Sequence, residues 1–327
     1  MKLLITGATG FLGYRTIEYL LAESDFHIIA AARTKRPERH FKSKRIEYHF
    51  GDLGNEDYVK ELFVSGPKMI INCASLSSPW GKKYLFIREN IDTQKLLIKY
   101  ATKEDDIRFI YVSSPSIFVN HRHRINITEK SPLYRPVNAY SWSKKVAENM
   151  LKSSGLSYVI LRPRALVGRG DTIIFPRLIR AHKNGKLKRM GNGSNICDLT
   201  GVKNMAHAIY CSIITKKKEA LNEDYNITND EPVVLWNTID EVLQSLKYEK
   251  VQGEIPITIA YSIAWILEKI SRIGSQKEPA LLIYSVSTLA RSMTFDISKA
   301  KKYLSYNPIM STDDAIQEFI QWKKTEY

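Results

Sequence analysis

Cysteine is nearly missing from this chain: Cys73, Cys197 and Cys211 are the only three among 327 residues. They are scattered, with no metal-ligand spacing, so neither a disulfide framework nor a cysteine-built metal site is expected. A reduced, cytoplasmic setting fits, with all three as small core residues. Long apolar runs are missing too. The uncharged stretch at 255–267 is thirteen residues long, too short to span a bilayer. No basic segment stands ahead of a separate apolar one at the N-terminus, so no secretory leader is expected. Internal repeats and low-complexity tracts are absent. Acidic residues are outnumbered, 34 Asp and Glu against 49 Lys and Arg, a formal net charge of +15. The basic residues are spread out and accompany no nucleic-acid motif. A generally basic surface is the simplest reading. Beyond it, an anionic small molecule or an acidic membrane surface fits better than nucleic acid.

What is present begins at once. Lys2-Leu3-Leu4-Ile5-Thr6 reads as a buried strand, and Gly7-Ala8-Thr9-Gly10-Phe11-Leu12-Gly13 follows, opening a helical pattern at Leu12, Ile17, Leu20 and Leu21. Strand, glycine-rich turn and helix is the geometry that binds a dinucleotide pyrophosphate. Gly7 permits the tight turn, Gly10 lets backbone approach the phosphates, and Gly13 lets the helix pack on the strand. The free N–H groups of the helix start hold the anion.

Further strands are expected at 27–32, 45–50, 69–74, 107–113 and 157–161, alternating with helices at 55–63, 84–102 and 139–154. That alternation predicts an α/β fold of the Rossmann type, a doubly wound parallel sheet. It fades after Pro163. Residues 1–163 are therefore assigned to a dinucleotide-binding domain. Residues 164–327 form a smaller, mostly C-terminal α+β substrate-binding region, parts of which return to the sheet. Two late uncharged stretches, 255–267 and 279–290, either pack as core or form an apolar lid over a lipid-like substrate.

Tyr140-Ser141-Trp142-Ser143-Lys144 places a tyrosine and a lysine four apart, on one helix face. A free tyrosine titrates near ~10, and a neighbouring ammonium lowers that value. The pair can then exchange a proton with a substrate oxygen.

With these motifs the sequence resembles the extended short-chain dehydrogenase/reductases over almost its full length. The resemblance implies Ser114, Tyr140 and Lys144 as catalytic residues. It assigns the cofactor to Gly7, Thr9, Gly10, Phe11, Leu12, Gly13, Asp52, Leu53, Ala74 and Pro163, together with Tyr140 and Lys144. Asp52 carries the adenine-contacting role, and Asn90 helps order the active site. Ser75, Ser116 and Arg164 are assigned to the substrate. Ser114-Pro115-Ser116, Trp80-Gly81, Gly191-Asn192-Gly193-Ser194-Asn195 and Thr294-Phe295-Asp296 resemble the 3β-hydroxysteroid dehydrogenase branch. Within it the likeness is to bacterial 2-alkyl-3-oxoalkanoate reductases and sterol-4α-carboxylate 3-dehydrogenases. Arg164 stands where those reductases often carry histidine, and Val119 where many relatives carry glycine.

The end of the second strand, where NAD enzymes place an acid for the ribose hydroxyl, holds Arg33 with Lys35 and Arg36 behind it. An arginine pairs with a 2′-phosphate, so NADP is favoured over NAD, which stays open. The implied activity is ketone/alcohol oxidoreduction on an apolar 3-oxo/3-hydroxy substrate. A nucleotide-sugar epimerase or dehydratase is the alternative, and a non-catalytic NADP-binding sensor a third. His121 and His123 lack a third ligand, so no metal is expected. Asp171 and Asp198 read as capping or turn residues. Beyond a small-molecule substrate, peripheral membrane contact and a homodimer stay open as partners.

Overall fold

The computed structural model describes residues 1–274 and 277–326. Its first half alternates as expected: β1 (Lys2–Thr6), α1 (Phe11–Glu23), β2 (His27–Ala32), β3 (Ile46–Phe50), α2 (Glu56–Val64) and β4 (Met69–Asn72). Then come α3 (Lys83–Phe86), α4 (Thr93–Ala101), β5 (Arg108–Val112), β6 (Arg124–Ile127), α5 (Ala139–Lys152) and β7 (Ser157–Pro163). Six of these strands and the later strand Glu223–Ile227 make one parallel sheet. Its order is Glu223–Ile227, β7, β5, β4, β1, β2, β3. The order reverses between β1 and β4, which opens a crevice at the strand carboxyl ends.

The period of two along β1 decides what each face buries. Leu3 and Ile5 pack on Ile17 and Leu20 of α1. Leu4 faces the other way, into Val59, Leu62, Leu97 and Leu151. All three are fully buried, as parallel sheets covered on both faces require.

The helix expected at 84–102 is interrupted. A π-helical turn, Ile87–Asp92, separates α3 from α4. It turns Asn90 inward, where its side chain is buried and fully engaged (below). That tertiary demand overrides a periodicity that reads as regular helix.

The remaining helices are α6 (Ile174–Lys183), α7 (Val202–Ile214), α8 (Leu235–Ser245), α9 (Ile257–Ile273), α10 (Ile283–Ala290) and α11 (Thr312–Thr325). Two segments beyond residue 163 rejoin the sheet. Glu223–Ile227 pairs with β7, and α7 packs Met205, Ala208 and Ile209 into the core under α1. The other helices enclose a separate core around Trp236 and Phe319. A four-stranded sheet joins Val233–Val234, Ile196–Cys197, Met293–Phe295 and β6. Among the described residues no helix is long and apolar enough to cross a membrane.

Candidate active site

The crevice starts at the glycine turn. Gly7 holds φ +66°, a left-handed conformation open to glycine. A Cβ on Gly13 would meet the Gly7 carbonyl oxygen at 2.2 Å, so α1 seats directly on the turn. Gly10 is the N-cap of α1, with no side-chain cap and no acid in the first turn. The helix thus presents its backbone N–H groups to the cleft with no carboxylate competing for them. An anionic pyrophosphate fits that end.

α5 supplies the reactive pair. A capping box fixes its start: Asn138 Oδ1 accepts from the Ser141 N–H at 2.8 Å, and the Ser141 side chain reaches back to the cap. Tyr140 and Lys144 therefore face the cleft from the first turns. The Ser114 and Ser77 hydroxyls stand beside the Tyr140 phenol and line the same cleft. Burial pushes its pKa up, and the two serines hold it back. Lys144, only 2% exposed, donates from Nζ to the Val112 carbonyl at 2.9 Å and lies 4.8 Å from the Tyr111 ring. Burial lowers its pKa to about 8. This corrects the expected electrostatics: Tyr140 is raised, not lowered. The cause is that Lys144 directs its ammonium at a backbone carbonyl, while desolvation dominates at the tyrosine.

Two braces hold the floor. Asn90 Oδ1 accepts from the Leu76 N–H at 2.7 Å and from Ser75 Oγ at 3.2 Å, and its Nδ2 donates to Ser143 Oγ at 2.9 Å. It ties the loop after β4 to the catalytic helix. Below, Arg162 donates to both Glu148 oxygens, at 2.8 and 2.6 Å, and reaches Asp224 at 2.5 Å. Glu148 lies one turn beyond Lys144, so this buried network locks α5 to β7 and to the edge strand.

A cleft of about 570 Å³ runs from the glycine turn past Tyr140 into the second half. Gly7, Gly10, Phe11, Leu12, Gly13, Ser75, Ser114, Ser116, Tyr140, Lys144, Pro163 and Arg164 all line it. Thr9, Arg33, Lys35, Asp52, Leu53 and Ala74 are not among the described residues that do. Thr9 Oγ1 donates to the Thr34 carbonyl at 3.0 Å, and the Asp52 carboxylate accepts from the Gly54 N–H at 2.8 Å. The Ala74 N–H is held by Thr6 Oγ1 at 3.3 Å and Asn72 Oδ1 at 3.2 Å, and Leu53, half-buried, packs against the core that α2 covers. Arg33 pairs with Glu89 at 2.9 Å, and Lys35 lies 5.3 Å from the Phe50 ring. Arg36 and Arg39 take the cleft wall instead, because the turn at Pro37–Arg39 folds them back toward the glycine loop. Arg39 donates to the Thr9 carbonyl at 3.1 Å.

The substrate end is mostly apolar, with Leu166, Leu178, Leu187, Met190, Leu199 and Leu281 on its walls. Arg164, Arg177, Lys186 and Tyr284 supply polarity. Arg164 Nε and Ser116 Oγ have no hydrogen-bond partner among the described residues. The Tyr284 pKa is raised by burial, opposed by Arg164 and Arg177 and reinforced by Tyr140, which puts the second tyrosine near the first. Sequence reasoning missed Ser77 and Tyr284. The serine run directly after β4 was the available signal for Ser77; none pointed to Tyr284. The lid expectation divides. Residues of 279–290 line the cleft, but none of 255–267 does, because α9 packs behind α10. Asp171 caps α6, accepting from the Ile173, Ile174 and Phe175 N–H groups at 2.7 to 3.0 Å. Asp198 accepts from the Phe295 N–H at 2.7 Å.

A glycine-turned Rossmann sheet with Ser, Tyr and Lys converging on its crevice defines an extended short-chain dehydrogenase/reductase, an NAD(P)-dependent oxidoreductase. The sequence model of the NAD dependent epimerase/dehydratase family matches residues 3–228, and the chain belongs to that family. A 3beta-hydroxysteroid-dehydrogenase/decarboxylase (isoform 1) of Arabidopsis thaliana is 29% identical, covering 97% of this chain and 78% of its own. A 2-alkyl-3-oxoalkanoate reductase of Shewanella oneidensis is 26% identical, covering 96% of this chain and 84% of its own. These relatives agree with the 3β-hydroxysteroid dehydrogenase-like resemblance. Among solved structures, UDP-glucuronic acid 4-epimerase from Bacillus cereus in complex with NAD superposes with a TM-score of 0.77. It covers 100% of both chains at 21% identity, a likeness of fold.

Proposed function

We propose that the protein interconverts a ketone and a secondary alcohol on an apolar 3-oxo/3-hydroxy substrate, with NADP preferred. The observation that carries this reading is the Tyr140–Ser114 pair at the base of a cleft whose far walls are mostly apolar. The nicotinamide, when bound, supplies or accepts the hydride. Everything else falls to the chain. Ser114 and Tyr140 hold the substrate oxygen, and Tyr140 gives it a proton during reduction. Ser77, beside Tyr140 on the cleft wall, relays a proton from solvent to the phenolate and so resets the tyrosine. Lys144 is the group to hold the nicotinamide ribose. The turn from Gly7 to Gly13 holds the pyrophosphate, and Arg36 and Arg39, which line the cleft, hold an adenosine phosphate together with Arg33 once it leaves Glu89 and with Lys35. Arg164, on the cleft wall with its Nε unpartnered among the described residues, pairs with a carboxylate on the substrate. The names of the two relatives above, a 3β-hydroxysteroid dehydrogenase and a 3-oxoalkanoate reductase, support the 3-oxo class.

One observation favours the nucleotide-sugar alternative: Arg164, Arg177 and Lys186 bring three cations to the cleft, enough for a diphosphate. Against it, Arg177 is paired with Glu278, and the turn Gly193-Ser194-Asn195 carries no arginine. The test is consumption of NADPH or NADH with a 2-alkyl-3-oxo acid and with a 3-oxosteroid, beside product analysis of a UDP-sugar incubated with NADP or NAD, since epimerisation returns the hydride to the sugar and consumes no net cofactor. Turnover of an apolar ketone, faster with NADPH, is expected. Arg33→Asp should cut the NADPH preference by about tenfold through loss of one charge-assisted pair. Conversion of the UDP-sugar alone would replace this reading with the epimerase one, and equal affinity for both cofactors would remove the NADP preference.

A further inference from the structure

α9 is built the wrong way round for a helix of the core. Its buried positions, Ala260, Ala264 and Ser271, are small. Its large side chains point out: Ile259, Ile263, Trp265, Ile266, Ile270 and Ile273 are 39% to 87% exposed. The five isoleucines recur at spacings of four and three and form one stripe along the outer face. At 1.5 Å per residue that stripe runs for about 20 Å. Single exposed apolar residues are ordinary, but a continuous row of this length marks a contact surface.

The charges beside the stripe indicate what it contacts. Glu268, the sole acid of α9, is turned inward and accepts from the Ile283 N–H at 2.8 Å. Lys269 stays outside, with its Nζ 5.7 Å from the Trp265 ring, and Arg272, 68% exposed, reaches back to Glu268 at 3.5 Å and lies 5.5 Å from the Trp80 ring. The outer face is therefore isoleucine and tryptophan bordered by Lys269 and by the exposed Arg272, with the one acid of the helix turned to its inner side, on a chain of net charge +15. Isoleucines spaced four and three apart also suit a helix–helix seam, but a second copy would bring Lys269 and Arg272 up against the same cations of its partner helix. We propose that α9 docks in the plane of an anionic lipid surface, isoleucines in the acyl boundary and Lys269 and Arg272 at the headgroups. The helix is too short and too one-sided to cross. α10, packed on its inner side, lines the cleft, so docking sets the cleft beside the lipid. This inference rests on the surface and is independent of the reaction proposed above.

The full-length protein should sediment with vesicles of equal phosphatidylcholine and phosphatidylglycerol, less as salt rises, and stay in solution with phosphatidylcholine alone. Ile263→Asp/Ile270→Asp should lower the partition coefficient at least tenfold. Lys269→Glu/Arg272→Glu should lower it about fivefold or more and flatten the salt dependence. The blue shift of tryptophan emission on vesicle addition should vanish in Trp265→Phe. A protein that stays in the supernatant at low salt overturns the proposal, as does equal sedimentation of the isoleucine variant. A dimer in sedimentation equilibrium that this variant converts to monomer assigns the stripe to a second copy, and overturns it too. The isoleucines make their substitutions outside the packed side. Should the aspartates nonetheless disturb folding, seen as a lost melting transition, the charge-reversed variant decides alone.

Discussion

The floor and the far wall of the cleft are built on different principles. The floor is made by short stretches whose geometry is local: a glycine turn over seven residues, a tyrosine and lysine one helical turn apart, a serine at the end of β5. Backbone positions define it, and each neighbour is fixed by a hydrogen bond or a close approach. The far wall is assembled from side chains far apart in sequence, brought together by the packing of α6, α8 and α10. It is defined by apolar volume, which many side chains can fill. A floor of this kind fixes one chemistry and tolerates little change. A wall of this kind sets the substrate and can drift.

That contrast predicts a gradient of mutational effects. Tyr140→Phe should lower turnover about a thousandfold while cofactor affinity stays within twofold, since only the proton donor is lost. Retention of most of the rate on a confirmed substrate would collapse the distinction between floor and wall. Gly13→Ala should destabilise the fold by about 3 kcal/mol through overpacking against the Gly7 carbonyl, measured by denaturant midpoint. A neutral result would mean the floor is more plastic than the wall.

The buried Lys144 sharpens the comparison with pH. Its folded pKa of about 8 lies below the unfolded value of ~10.4, so the unfolded chain takes up the proton first as pH falls. Stability is lost between those two values, and the penalty is constant below both. Lys144→Met removes it, so the variant should gain on the unaltered protein as pH falls from above 10 to 8, by at most about 3 kcal/mol. Paired thermal melts across that range check it, and a pH-independent difference would show that the burial of this charge is not what limits the floor. The smallest effect is expected at the wall. Tyr284→Phe should raise KM no more than about fivefold with kcat nearly unchanged, as the removal of one polar contact predicts. A fall in kcat instead would move Tyr284 into the catalytic group.

The same contrast explains what was legible beforehand. Gly7, Gly10, Gly13, Tyr140 and Lys144 are readable because turn chemistry and helical spacing carry them, and the sheet because apolar runs alternate with helices. The π-helical turn at Ile87–Asp92 was not readable, since its cause is a hydrogen-bonding demand on Asn90 by partners at Leu76 and Ser143. The direction of the Tyr140 shift was misjudged because spacing places Lys144 on the right face without showing that a backbone carbonyl captures it. Arg36 and Arg39 reach the cleft through a short turn whose path no periodicity predicts. Tyr284 was invisible because its relation to Tyr140 exists only in the folded state.

The Arg162 network carries a consequence for how this protein comes into being. Arg162, which holds Glu148 of the catalytic helix, takes its second carboxylate from Asp224, on a strand supplied by the second half of the chain. While a ribosome is still making residues 164–222, β7 is an open sheet edge and Arg162 lacks its second carboxylate. The nascent protein can thus have its glycine turn, its tyrosine and its lysine in place and still lack a fixed active site. The brace beneath the catalytic helix is complete only once the second half of the chain has returned to the sheet.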